Sequence, residues 1–261
     1  MITKLGGVHE FGDVHSRLRL STASCTRTST TARERSVVPM DSVLTVASAA
    51  AAGVSRHAIA HQVSRGRWLR LLPGVYLTHG GTPTPVERAA AALLFAGEGA
   101  VLSGSHALQR YAVRSAPLSV AKILVLTPMS NARRSAGFVF VRRTHLAPAQ
   151  PVRIGRLAVA PITRAVIDAC LGLRSQRTVR AIVAEVVQRR RCSAADLAAE
   201  LAVSGRRGSA FCRAAILEVG AGAWSAPECE VGELFRRAHL PGFEQNIDVC
   251  DEAGDWLACG D

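Results

Sequence analysis

The chain has 261 residues, enough for one large domain or two modest ones, and its hydrophobic content of 48% is ample for a buried core. A formal charge of +12 favours an anionic partner, nucleic acid first and membrane surface second. No run of ~18 uninterrupted apolar residues is present to span a bilayer, and seven scattered cysteines without a C-x-x-C pair exclude a disulfide framework or zinc knuckle, so a reducing cytoplasm is the default.

The first 39 residues are polar, rich in Ser, Thr and Arg, and lack periodicity. Without an apolar h-region they are no secretory signal. They read as a disordered basic arm or as a translation start placed too early, with Met40 the first residue and Asp41 opening the ordered pattern. Nothing in 1–39 buries enough apolar area to offset ordering entropy, so deleting them should leave the melting temperature unchanged.

An Ala-rich helix is expected to start near Asp41 or Ser42 and to end at Gly53. Ser55 reads as the N-cap of a second helix that points Ile59 and Val63 inward and carries Arg56, His57, Ala60, His61 and Ser64 on its other faces. Gly66 ends this helix, Trp68 to Leu71 begin a strand, and Pro73-Gly74 turns the chain into Val75-Tyr76-Leu77. Two helices joined through Gly and followed by a basic hairpin make a winged helix-turn-helix. The base-edge candidates are Arg56, His57 and His61, near the start of the recognition helix, with Ser55 and Arg65 at its ends. Arg67 and Arg70 belong to the wing and are the phosphate candidates.

The run GVSRHAIAHQVSRGRWLRLLPGVYLTHGG resembles the N-terminal domain of AbiEi-family antitoxins from type IV toxin–antitoxin systems. Gly-Val-Ser before the second helix, Arg-Gly-x-Trp after it and Pro-Gly-Val-Tyr in the wing carry the resemblance. It implies a DNA-binding transcriptional regulator whose partners are duplex DNA and a toxin protein, with no membrane involved.

Beyond the wing, Pro85 opens a strong helix through Ala96 that Gly97-Glu98-Gly99 stops. Ser103 to Tyr111 reads as a short capped helix, 121–127 and 138–143 as strands, and Leu157 to Ala160 as a third. Helices follow at 162–173, 176–189, 194–201 and 209–218. These elements resemble the small α+β domain that follows the winged helix in the same family. Arg164 and Asp168 match a family motif that reads roughly T-x-x-R-T-x-x-D, although an i,i+4 ion pair is the simpler explanation of their spacing. Ser103, Ser105 and His106 suggest a nucleophile and a base, but the sequence places no Asp beside them, and a structural histidine is the simpler reading.

Charge is uneven along the chain. Residues 128–207 hold fifteen Arg against four acids, a balance of +11, with doublets or triplets at 133–134, 142–143, 189–191 and 206–207. Residues 208–261 hold three Arg against ten acids, a balance of −7. The basic runs could extend a phosphate-binding surface.

Trp224-Ser225-Ala226-Pro227-Glu228 followed by Leu234 to Pro241 resembles the start of a Vsr-like nuclease domain of the PD-(D/E)XK class, which often follows an AbiEi-type winged helix in actinobacterial proteins. The resemblance implies that Glu228 and Asp261 are remnants of a metal site that would take Mg²⁺ if a nuclease were complete. The chain ends at Asp261 and no Lys follows position 122, so the expectation is a truncated domain without metal-dependent cleavage or cofactor, its acids forming a loosely packed tail.

The expected fold is therefore α+β. It comprises an arm (1–39), a winged helix-turn-helix (40–80), a small α+β domain (81–220) and an incomplete α/β nuclease-like segment (221–261). Duplex DNA binding by a regulator is the leading function. A metal-dependent endonuclease and a protein-interaction module for a toxin are the alternatives.

Overall fold

The computed structural model describes residues 42–117, 121–146, 148, 150–204, 208–222, 225–241, 247–251 and 255–260. The N-terminal arm, the 206–207 doublet and Asp261 lie outside them.

Residues 43–45 form a strand where the Ala-rich composition suggested helix. In β1 (Val43–Thr45) Val43 pairs with Leu77 and Thr45 with Val75. Burial of Val43 and Leu77 against the sheet overrides the helix propensity of the neighbouring alanines. Helix α1 (Val46–Ala51) starts only after Thr45, whose side chain forms a reciprocal capping box with Ser48. Gly53 then adopts φ +78°, the left-handed turn that releases the chain from α1. Helix α2 (Arg56–Ser64) follows, capped by Ser55 Oγ, which accepts from Ala58 N at 3.1 Å. The hairpin of β2 (Leu69–Leu72) and β3 (Val75–Leu77) turns through Pro73-Gly74, with Gly74 at φ +78°. The three strands form an antiparallel sheet in the order β1-β3-β2. Strand, helix, helix and hairpin in this order are a winged helix-turn-helix.

Helix α3 (Pro85–Ala96) packs against this sheet and against the next one. Ala89, Ala90, Ala91 and Ala92 are all buried, and their small side chains let the helix approach both sheets closely. The second sheet comprises β4 (Val101–Leu102), β5 (Ile123–Pro128), β6 (Val139–Thr144), β7 (Val152–Ile154) and β8 (Leu157–Val159) in the order β6-β5-β4-β8-β7. Helix α4 (Gly104–Arg110) follows β4. Strands β5 and β6 run parallel, so residues 129–138 must travel back along the sheet before β6 begins, and this return loop carries Arg133-Arg134.

The helical C-terminal part comprises α5 (Ile162–Gly172), α6 (Gln176–Gln188), α7 (Ala194–Ser204), α8 (Ala210–Gly220) and α9 (Ala226–Arg237). The antiparallel pair β9 (Ile247–Cys250) and β10 (Trp256–Gly260) follows. One cluster of buried apolar side chains runs from Val43 in β1 to Val219 in α8. The expectation of a loosely packed acidic tail fails at α9, which packs on α6 and α8. Buried Arg180 reaches Glu233 of α9 and Glu218 of α8, both at 2.6 Å, and Cys229 is buried beside them. The acids of this segment neutralise arginines of the body. Among the described residues, no helix is long and apolar enough to cross a membrane.

Candidate nucleic-acid interface

Ile59 is the fully buried residue of α2, and Ala58, Gln62 and Val63 flank it half-buried. The opposite half of the helix exposes Arg56, His57, Ala60, His61, Ser64 and Arg65. Ser55, with its oxygen committed to the cap, is exposed at the start of this face. Arg65 Nε donates to His61 Nε2 at 3.1 Å, so that imidazole carries its proton on Nδ1 and offers that nitrogen as its remaining donor. Arg56 and His57 are exposed at the first turn of α2.

Arg67 is exposed in the turn between α2 and β2, and Arg70 is exposed on β2 opposite Tyr76. The sequence therefore brings Arg56, Arg65, Arg67 and Arg70 onto the surface of one short motif, and no acid occurs between Asp41 and Glu87. Glu87 itself is withdrawn from that surface. It is buried, accepts from Ser42 Oγ at 2.7 Å and from Thr84 N at 2.8 Å, and lies 2.9 Å from His79 Nε2. Burial pushes its carboxyl up, but the hydrogen bonds from His79, Thr84 and Ser42 outweigh this and bring its pKa down to about 2.

Of the basic runs, Arg133-Arg134 borders the wing. The return loop forms one wall of a 630 Å³ cleft whose other wall includes Pro73 of the wing turn and Phe95 of α3. Arg133 lies over the Phe95 ring at 5.2 Å. The other described runs are used differently. Arg142 turns inward to Asp168 at 2.8 Å, and Arg189 pairs with Glu185 at 3.0 Å.

The middle of the chain holds a buried polar cluster. Asp168 Oδ2 accepts from Ser103 Oγ at 2.7 Å and from Arg164 Nε at 3.0 Å, while Oδ1 takes Arg142. The Arg164–Asp168 spacing is thus an i,i+4 ion pair, as the sequence suggested. Asp168 is the partner of Ser103 that sequence spacing could not supply, because 65 residues separate them. No histidine stands between the two, and two guanidiniums occupy the carboxylate. Burial, followed by the charges of Arg88 and Arg110, pushes His106 down to about 4. The arrangement locks β4, β6 and α5 together.

Glu228 sits in the first turn of α9, where its backbone N donates to the N-cap Ser225 Oγ at 3.3 Å and its carboxylate accepts from the same hydroxyl at 2.5 Å. Among the described residues, no group of three or more His, Cys, Asp or Glu side chains converges as a metal ion would require.

Fold and surface together define a winged-helix protein whose helix α2 exposes basic and imidazole side chains. Residues 40–79 match the family model described as transcriptional regulator, AbiEi antitoxin. No curated protein matches the chain. Among solved structures it is similar to the RV2827C protein from Mycobacterium tuberculosis, at 17% identity and a TM-score of 0.48, over 80% of this chain and 83% of that one.

Proposed function

We propose that the chain is a DNA-binding transcriptional regulator of the AbiEi antitoxin type, reading duplex DNA through α2 and the β2–β3 wing. The observation that carries this reading is the exposed half of α2 with Arg56, His57, His61 and Arg65, continued by Arg67 and Arg70 across a stretch without any acid. The family match over 40–79 supports it. Helix α2 enters the major groove, Arg56 and His57 meet base edges, His61 offers Nδ1–H, and Arg67 and Arg70 hold phosphates. Arg133 and Arg134, beside the wing turn, lengthen the phosphate track. The antitoxin half of the reading calls for a protein toxin as partner, tested by co-purification with the product of the adjoining reading frame.

Gel shifts on duplexes selected from a random library, at several salt concentrations, test DNA binding. Arg56→Ala should flatten the preference among sequences, a loss of about 1–3 kcal/mol of discrimination. Arg67→Ala with Arg70→Ala should weaken all duplexes alike and reduce the slope of log K on log salt by about 0.9 per phosphate lost. Binding unchanged in the triple variant would overturn the assignment.

A further inference from the structure

A hollow of 880 Å³ opens beside the N-terminal end of α3 and the C-terminal end of α4. Arg88 of α3, Arg110 of α4 and Arg114 line it together with His106, while Pro85 and Ile123 supply apolar wall; no acid lines it among the described residues. Arg88 and Arg110 are half-buried. Arg88 lies over the Phe138 ring with its guanidinium carbon 4.4 Å from the centroid, a cation–π contact that restrains the side chain at the hollow. No carboxylate forms an ion pair with Arg88, Arg110 or Arg114 among the described residues. The neighbouring Glu185 is already engaged by the backbone amides of Arg114 and Ser115 and by Arg189.

Three guanidiniums around one concavity are an uncompensated charge, and partial burial makes Arg88 and Arg110 costlier to leave alone, while Arg114 is exposed at the rim. The same burial and, at His106, the same charges act on the ionisable groups of the hollow. Burial lowers the pKa of Arg110, and His106 is pushed down first by burial and then by Arg88 and Arg110. A bound anion would relieve the arrangement. Three positive groups call for at least a dianion, and a phosphate presents several oxygens that Arg forks can share, which a lone carboxylate does not. The volume lies within the ~300–1,000 Å³ of small-molecule sites, so it admits more than a bare phosphate. The apolar wall and the neutral imidazole suit a planar, polar-edged group attached to it.

We propose that this hollow binds a small phosphorylated ligand of the nucleoside-phosphate class, with Arg88, Arg110 and Arg114 on its phosphates and its ring against the apolar wall. The site does not depend on the DNA-binding reading, because none of its residues lies in the winged helix. Two of its arginines sit inside a concavity, whereas the arginines of the winged helix stand out toward a duplex.

Titration calorimetry on the full chain tests this with ATP, and with pyrophosphate and adenosine as the two halves of the probe. ATP should bind saturably and raise the melting temperature, pyrophosphate more weakly, and adenosine weakest. Arg110→Gln should weaken ATP by about tenfold or more, and Arg88→Gln likewise, since each removes a charge-assisted contact. Arg153→Gln, which removes the same charge from an exposed position on β7, should leave ATP binding unchanged. Arg110 makes no stacking contact on Phe138, so Arg110→Gln remains informative if Arg88→Gln fails to fold. Absence of saturable binding of both ATP and pyrophosphate up to about 1 mM would overturn the proposal. So would an equal loss in Arg153→Gln, or displacement of ATP one for one by random duplex DNA.

Discussion

Glu87 shows how one side chain serves both halves of the molecule. It closes a capping box with Thr84 at the start of α3 and reaches back to Ser42 beside β1 and to His79 after β3. Thr84-Pro85-Val86-Glu87 carries a helix-start signal in its own spacing, but Ser42 lies 45 residues away and no local pattern announces it. Asp168 repeats the lesson. Its pairing with Arg164 is written in the i,i+4 spacing, whereas Ser103 and Arg142 arrive through the sheet. Each acid makes a prediction. The folded pKa of Glu87, about 2, lies below its ordinary value of 4.5, so its contribution is fully present above about pH 4.5 and is lost as pH falls toward 2. That contribution is at most on the order of 3 kcal/mol. Glu87→Gln should therefore lower the denaturant midpoint at pH 7, and the gap from wild type should narrow between pH 4.5 and 3. Equal midpoints at pH 7 would refute it. Asp168→Ala takes from buried Arg164 its carboxylate at 3.0 Å, leaving the Leu146 carbonyl at 3.4 Å and Glu200 at 3.6 Å, and should cost roughly 3–5 kcal/mol in urea unfolding.

At the scale of elements, legibility follows length. Helices α5, α6 and α8 carry a full apolar stripe, and their spans come out of the 3.6-residue period within two residues of the observed ends. Strand β4 has two residues and β7 three, too few to display any period, so their existence is decided by the partners on either side. β1 is the harder case, because a strand of three residues abuts an Ala-rich run and its identity comes from β3. The docking of α9 was illegible for another reason. An acidic stretch beside a basic body predicts attraction, but only the fold shows Arg180 buried under both Glu218 and Glu233, with Arg177 reaching Glu230 outside. The hydrogen bonds to Glu218, set against desolvation, raise the pKa of Arg180 well beyond its ordinary range, so it stays charged at any working pH. Arg180→Ala would remove the buried cation that Glu218 and Glu233 share, leaving Arg236 at 3.4 Å from Glu218. Amide hydrogen exchange in 226–237 should then accelerate markedly while exchange in α2 stays as it was. Unchanged protection of α9 would show that Arg180 is not needed to hold it.

For the molecule as a whole, the question is whether the winged helix is an independent module. Helices α1 and α2 have six and nine residues, below the roughly 12–15 at which an isolated helix becomes even marginal in water. Their sheet has three short strands, and its buried side chains Val43, Leu72, Val75 and Leu77 belong to the same apolar cluster as Ala89 to Ala92 of α3 and Val125 of β5. The winged helix thus borrows its core from the body, and Glu87 ties it there by hydrogen bonds. Trp68, half-buried in the turn between α2 and β2, can report on the motif alone once Trp224 and Trp256 are replaced by Phe. On heating this variant, the Trp68 fluorescence transition should coincide with the loss of helix by far-ultraviolet circular dichroism, as for one cooperative unit. An earlier, separate Trp68 transition would mean that the winged helix melts on its own and that the shared core does not set its stability. Coincidence would mean that substitutions deep in the body, Asp168→Ala among them, lower the Trp68 transition by the same amount as they lower the melting temperature.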